Sequence, residues 1–195
     1  MMKTLSTTLP FTDVKNTDWC FSEVARVYAD GIMGGTSNTT FSPAGTLTRG
    51  QVVAMLYRMA GSPAVTANTT GFSDVDNGAY YADAVKWASG KEIVGGYADG
   101  TFAPNRAITR EQLAAILYRY AKANGADISV GEDTNLLSYK DFQSVGQYAV
   151  PALQWAVGSG LIGGTTNAML SPKGTATRAQ AAVILVRFVG MTAAK

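Results

Sequence analysis

The chain has no histidine, one cysteine (Cys20) and only 15% charged residues among its 195. Without histidine there is no Ser-His-Asp triad and no Cys-His pair, and with one cysteine there is neither an internal disulfide nor a cysteine-rich zinc site. Cys20 stands near the start of a predicted helix and reads as a small hydrophobe. A formal net charge of +2 is far from the strongly basic face of a nucleic-acid protein, so no nucleic-acid partner is expected. No stretch of about 18 apolar residues could span a membrane, and the opening Met1-Met2-Lys3-Thr4-Leu5-Ser6-Thr7-Thr8-Leu9-Pro10 lacks the apolar core of a signal peptide. The expectation is a soluble chain with no metal or cofactor. An export signal, if the parent protein is secreted, lies elsewhere.

What the sequence does contain is repetition. Thr-Arg-x-Gln occurs at Thr48-Arg49-Gly50-Gln51, Thr109-Arg110-Glu111-Gln112 and Thr177-Arg178-Ala179-Gln180, each time opening an apolar run. A Gly-Gly pair ends 14 residues before each arginine, and the arginines are 61 and then 68 residues apart. These are three copies of one supersecondary unit. A unit of roughly 55 residues is marginal alone, so the copies are expected to pack on one another. The boundaries read as an N-terminal extension over 1–10 and repeats over 11–63, 72–125 and 137–190, joined by polar linkers.

Each unit opens with an aromatic and an aspartate: Phe11-Thr12-Asp13-Val14, Phe72-Ser73-Asp74-Val75 and, more loosely, Tyr139-Lys140-Asp141-Phe142. Helical spacing of apolar residues predicts a first helix over Trp19 to Asp30, Tyr80 to Lys91 and Tyr148 to Ser159, with Val24, Val85 and Leu153 on its inner face. Trp87 and Trp155 lie near its end, and Arg26 takes the tryptophan's place in the first unit. The Gly-Gly pairs Gly34-Gly35, Gly95-Gly96 and Gly163-Gly164 are expected to stop this helix, because glycine admits a positive φ and a close backbone approach. A tight loop follows, anchored by Phe41, Phe102 or Leu170 and by Pro43, Pro104 or Pro172. Asp99-Gly100 in the second loop suggests calcium, but the equivalent loops carry no carboxylate.

The second helix begins at the motif. Thr48, Thr109 and Thr177 suit the N-cap, and Gln51, Gln112 and Gln180 complete a capping box. The runs that follow are apolar nearly all round, as in buried helices. Three such helices predict an all-α fold of helix-loop-helix repeats, three-lobed and pseudo-threefold around a central three-helix bundle. Arg58, Arg119 and Arg187 near the helix ends read as charges that complement the dipole.

Arg49, Arg110 and Arg178 fall at N1, where a positive charge opposes the macrodipole at about 0.3–1 kcal/mol. Two readings are open. In one, each arginine stands beside free helix N-terminal amides and holds an anion with its planar fork. In the other, it pairs with Asp13, Asp74, Asp99 or Asp141. Gly35, Gly96 and Gly164 and the aromatics Trp19, Tyr80 and Tyr148, whose faces suit sugar rings, sharpen the first reading to an acidic carbohydrate.

The unit Phe72-Ser73-Asp74-Val75, Trp87-Ala88, Gly95-Gly96, Asp99-Gly100-Thr101-Phe102, Pro104 and Ile108-Thr109-Arg110-Glu111 resembles the surface-layer homology (SLH) repeat, and three tandem copies cover the chain from about Phe11 to Gly190. The family's motif is Thr-Arg-Ala-Glu; here its final glutamate is glutamine throughout, which keeps the capping box and removes a carboxylate. The third unit departs further, at Tyr139-Lys140-Asp141-Phe142 and at Leu170. The resemblance implies the same three-lobed module and a role in attaching exported proteins non-covalently to the bacterial cell wall or surface layer. Its implied ligand is an acidic, pyruvylated secondary cell-wall polysaccharide held in grooves between lobes. Carried over, it makes Arg49, Arg110 and Arg178, with Thr48, Thr109 and Thr177 and the glycines Gly35, Gly96 and Gly164, the binding residues. It also implies covalent fusion to a larger exported protein. The alternative is a protein-binding or self-assembly module of a surface layer. An enzyme is not expected: acids drawn from Asp74, Asp83, Asp99 and Glu111 would have to face each other about 5–9.5 Å apart, and only the opening aspartate repeats with the arginine.

Overall fold

The computed structural model describes residues 8–131 and 133–193, so most of the expected 1–10 extension lies outside the described residues. Among the described residues six α-helices form: α1 (Phe21–Ala29), α2 (Arg49–Met59), α3 (Ala82–Gly90), α4 (Arg110–Ala123), α5 (Val150–Gly158) and α6 (Arg178–Ala193). Four single 3-10 turns complete the helical structure, at Leu136–Ser138, Phe142–Ser144, Gln147–Ala149 and Thr166–Ala168. Among the described residues there is no strand, only three isolated antiparallel bridges at Thr46 with Thr177, Thr48 with Ala107 and Thr109 with Thr175. The all-α class read from the sequence is the class observed. No helix among these residues is long and apolar enough to cross a membrane.

The motif helices start as their sequence dictates. Thr48 Oγ1 accepts from the Gln51 amide at 3.3 Å while Gln51 Oε1 accepts from the Thr48 amide at 3.0 Å. Thr109 with Gln112 and Thr177 with Gln180 do the same. Each box satisfies two orphan amides of the first turn. The apolar runs then go inward: Val53, Leu56, Ala114, Leu117 and Ala182 are fully buried.

The first helices begin two residues later than expected, at Phe21, Ala82 and Val150, and end before the Gly-Gly pairs. The residues that turn left-handed after them are Gly31, Glu92 and Gly160, with φ of 70°, 57° and 71°. The expectation that the Gly-Gly pair makes this turn is therefore corrected. A residue in the left-handed region just past the last turn closes the helix, and the pairs lie three residues further on.

The chain divides into two compact units, Met1–Leu47 with Thr177–Lys195, and Thr48–Ala176. In the first, α1 packs against α6. In the second, α2 packs against α3 and α4 against α5. Every such pair joins the first helix of one repeat to the second helix of another, so packing crosses the boundaries of the sequence repeats. The inner residues Val24, Val85 and Leu153 are fully buried, and each contributes about 1.5–3 kcal/mol by leaving water.

Candidate functional site

Each loop between the helices of a repeat is held from two sides. From one side comes the opening aspartate. Asp13 accepts from the amides of Phe41 and Ser42 at 2.8 and 2.7 Å, Asp74 from Phe102 and Ala103, and Asp141 from Leu170 and Ser171. Ser42, Ala103 and Ser171 have φ of 58°, 55° and 53°, a strained conformation for non-glycine residues, and the carboxylate fixes it. Burial pushes the Asp13 carboxyl up, but the amides of Phe41 and Ser42 and the charge of Arg178 outweigh it, so its pKa lies below the ordinary value.

From the other side comes the motif arginine of a different repeat. Arg49 Nε donates to Phe102 O at 2.9 Å and its Nη2 to Gly95 O at 3.0 Å. Arg110 donates in the same way to Leu170 O and Gly163 O, and Arg178 to Phe41 O and Gly34 O. All three arginines are buried, between 5% and 7% exposed. The hydrogen bonds named here run to backbone carbonyls, which neither reading of the sequence specifies, while Asp13 and Asp141 act on Arg178 and Arg110 through charge. The helix N-terminal amides are not free either. Arg49 N donates to Arg106 O and Gly50 N to Pro104 O; Arg110 N and Glu111 N donate to Gly174 O and Pro172 O; Arg178 N and Ala179 N donate to Gly45 O and Pro43 O. The positive charge at N1 is the head of a two-pronged clamp on a neighbouring loop, which offsets its unfavourable position on the dipole.

The second glycine of each pair is sterically required. A Cβ on Gly96 would stand 2.4 Å from the Phe72 ring and 2.6 Å from Thr101 O; on Gly35 it would meet Ser37 O and Phe11, and on Gly164 the Tyr139 ring. The first glycines, Gly34, Gly95 and Gly163, have nothing within 4 Å of an added Cβ. Thr48, Thr109 and Thr177 serve as caps. Trp19, Tyr80 and Tyr148 are 69%, 65% and 53% exposed, so they stand at the surface rather than in the core.

Within the Thr48–Ala176 unit these features converge on one groove of about 280 Å³, lined by Arg49, Gly95, Gly96, Tyr97, Gln112, Ala115, Ile116, Arg119 and Tyr148. Of the residues expected to bind ligand, Arg49, Gly96 and Tyr148 meet here. Thr109 stands behind as the cap paired to Gln112. Gly95, Tyr97, Gln112 and Arg119 are additions that the sequence reading missed. Arg119 had read as a charge for the dipole, yet it lines the groove, exposed, with no hydrogen bond or ion pair among the described residues. Tyr97 is the most distinctive addition, since Thr36 and Thr165 take its place in the other repeats. Only its position beside a Gly-Gly pair signalled it.

The groove is cationic. The Arg49 guanidinium lies 5.1 Å from the Tyr97 ring centre and Arg106 lies 5.6 Å from it, while Gln112 Nε2 donates to the Tyr97 hydroxyl at 3.4 Å. Burial pulls the Arg49 pKa below its ordinary value, with the charges of Arg106 and Arg119 adding to the effect and Tyr97 and Tyr148 opposing it. No lining residue is acidic. Behind Tyr148 stands Glu111, 3% exposed, which accepts from Tyr148 Oη at 3.0 Å, from Gly146 N at 2.9 Å and from Lys173 Nζ at 2.6 Å. Burial and then the Glu111 charge push the Tyr148 phenol up to about 12, so it remains a neutral donor fixed at the groove's edge.

A family model described as the S-layer homology domain matches the chain three times, over residues 10–53, 71–114 and 138–182. The chain belongs to the S-layer homology domain family. Each match holds one opening aspartate, one Gly-Gly pair and one Thr-Arg-x-Gln, so the S-layer homology repeat coincides with the residues that build the clamp. The chain is 37% identical over 180 residues to an endoglucanase of Bacillus sp. (strain KSM-635), covering 92% of this chain and 19% of that protein. It is 25% identical over 185 residues to the cellulosome-anchoring protein of Acetivibrio thermocellus, covering 91% and 40%. Identity is 28% over 164 residues to a surface-layer 125 kDa protein of Lysinibacillus sphaericus, covering 82% and 13%. The chain thus spans less than half the length of each relative, and the endoglucanase shares with it only the S-layer homology part.

Proposed function

We propose that this chain is a non-catalytic anchoring module that holds a larger exported protein at the bacterial cell surface by binding an acidic cell-wall polysaccharide in the Arg49–Tyr97–Arg119 groove. The observation that carries the reading is the charge of that groove: two guanidiniums, reinforced by Arg106, and no lining carboxylate. A sugar carboxylate, such as a pyruvyl ketal, matches Arg119, whose donors are uncommitted, and the Nη1 edge of Arg49. Tyr97 and Tyr148 line the groove, and aromatic rings suit the apolar side of a pyranose. The name of the cellulosome-anchoring relative supports the anchoring role, and the lack of an acidic pair across the groove fits a binding site rather than a hydrolase.

Titration with defined pyruvylated and non-pyruvylated wall fragments tests it. Arg119→Ala should leave thermal unfolding unchanged and weaken the pyruvylated fragment by about 1.5–3 kcal/mol, the loss of a charge-assisted hydrogen bond. Gly95→Ala should also fold, since its methyl enters open space, and should weaken binding by crowding the groove. Equal affinity of wild type and Arg119→Ala would remove this groove as the site. A second reading, a protein-binding or self-assembly module, draws on the surface-layer relative; retention on walls stripped of polysaccharide would favour it.

A further inference from the structure

The three helix pairs α2/α3, α4/α5 and α1/α6 are built alike, and one is incomplete. In α2/α3 the contact is closed by Trp87 against Tyr57, ring centres 5.6 Å apart, and in α4/α5 by Trp155 against Tyr118 at 5.7 Å. Both tryptophans are buried. Trp87 and Trp155 lie seven residues after Tyr80 and Tyr148, and Tyr57 and Tyr118 lie eight after the motif arginines; the same positions in α1/α6 are Arg26 and Val186. Both rings are missing from the third pair.

Where they would stand is a cavity of about 280 Å³, lined by Val27, Ile32, Val186, Val189 and Gly190. Arg26 and Asp30 complete its wall, joined to each other by an ion pair. We propose that this cavity is a binding site for a single neutral aromatic ring, an indole or a phenol. The other two pairs show which group this packing geometry accepts between the helices. The size lies near the lower bound of about 300 Å³ for ligand pockets, suited to one small molecule or one side chain. Apart from Arg26 and Asp30 its walls are apolar, so a ring entering it leaves water. Arg26 offers a cation to the ring's π face, and because Asp30 already balances that charge, the occupant needs none. This site is separate from the wall-binding groove, and its occupancy does not depend on the anchoring role.

The test is methyl NMR of the full chain titrated with indole and with 4-methylphenol, using cyclohexanol as an apolar non-aromatic control. Saturable ring-current shifts confined to Val27, Ile32, Val186 and Val189 are expected. Arg26→Trp with Val186→Tyr restores the missing rings and should weaken indole at least tenfold; if that double variant does not fold, Arg26→Trp alone is held to the same criterion. No saturable shift at those methyls up to the solubility of indole would overturn the proposal. So would undiminished binding by the refilled variant, or cyclohexanol binding as well as indole. An N-acetyl-Gly-Trp-Gly-amide peptide identifies the source of the ring: tighter binding than free indole points to a side chain of a partner polypeptide, weaker binding to a small molecule.

Discussion

Arg110→Ala separates a clamp from a ligand contact. The substitution removes two donors, Nε to Leu170 O at 3.0 Å and Nη2 to Gly163 O at 2.7 Å, at a residue only 7% exposed. Each carbonyl left without its donor costs about 1–3 kcal/mol. Removing a cation from N1 returns about 0.3–1 kcal/mol, and water reaching the vacated carbonyls offsets part of the rest. The net expectation is a loss of about 2–4 kcal/mol, which in a chain of this size lowers Tm by roughly 4–16 °C. Urea unfolding followed by far-UV circular dichroism should show a lower midpoint with an unchanged slope. Arg110→Lys should recover only part of the loss, because an ammonium cannot span two carbonyls as the planar fork does. A loss below about 1 kcal/mol, or a gain, would refute the clamp and return the arginine to the role of a dipole-opposing residue kept for a ligand.

Leu117, fully buried in α4, should not tolerate Leu117→Asp: an unpaired buried charge costs several kcal/mol, and a cooperative urea transition within about 1 kcal/mol of wild type would place this helix face outside the core. Glu92, held at φ 57° where the other repeats have glycine, should be stabilised by Glu92→Gly by about 0.5–1 kcal/mol, and calorimetry showing a lower Tm would contradict that. Gly96→Ala should destabilise by more than Gly95→Ala, since only the former methyl collides with Phe72 and Thr101; equal thermal shifts would refute the packing account. The phenol of Tyr148, raised from its ordinary value to about 12 by burial and Glu111, favours the folded state in its neutral form. That contribution is fully present below about pH 10 and lost as pH rises toward 12, so Tyr148→Phe should show a shallower alkaline loss of stability than wild type.

The features legible in the sequence were local ones. A threonine and a glutamine three residues apart specify a capping box whatever surrounds them, and apolar residues at helical spacing specify a buried face. The fate of the motif arginine was not local. Its acceptors lie 53 and 46 residues away for Arg49 and more than 130 away for Arg178, in loops whose carbonyls carry no signature in the side-chain sequence. The need for the glycine pair is hidden for a related reason: it comes from an aromatic ring over 20 residues earlier packing on the second glycine, not from the pair's own backbone angles. Arg119 is not legible as a site residue in the sequence, because an exposed arginine near a helix end has an ordinary explanation and only the groove beside it supplies another.

The arginine that clamps the first loop belongs to the last helix. Phe41 and Gly34 offer their carbonyls early in the chain, and their donor, Arg178, follows only after the whole Thr48–Ala176 unit. For a polypeptide made from its N-terminus, this sets an order of events. At about 5–20 residues per second the first loop, 137 to 144 residues ahead of Arg178, waits roughly 7 to 29 s for its partner, with Asp13 alone holding its strained turn. A chain crossing a membrane unfolded meets the same delay on the far side. The Thr48–Ala176 unit holds all the partners of its own two clamps and can close first, so the earliest residues to emerge are among the last to be locked.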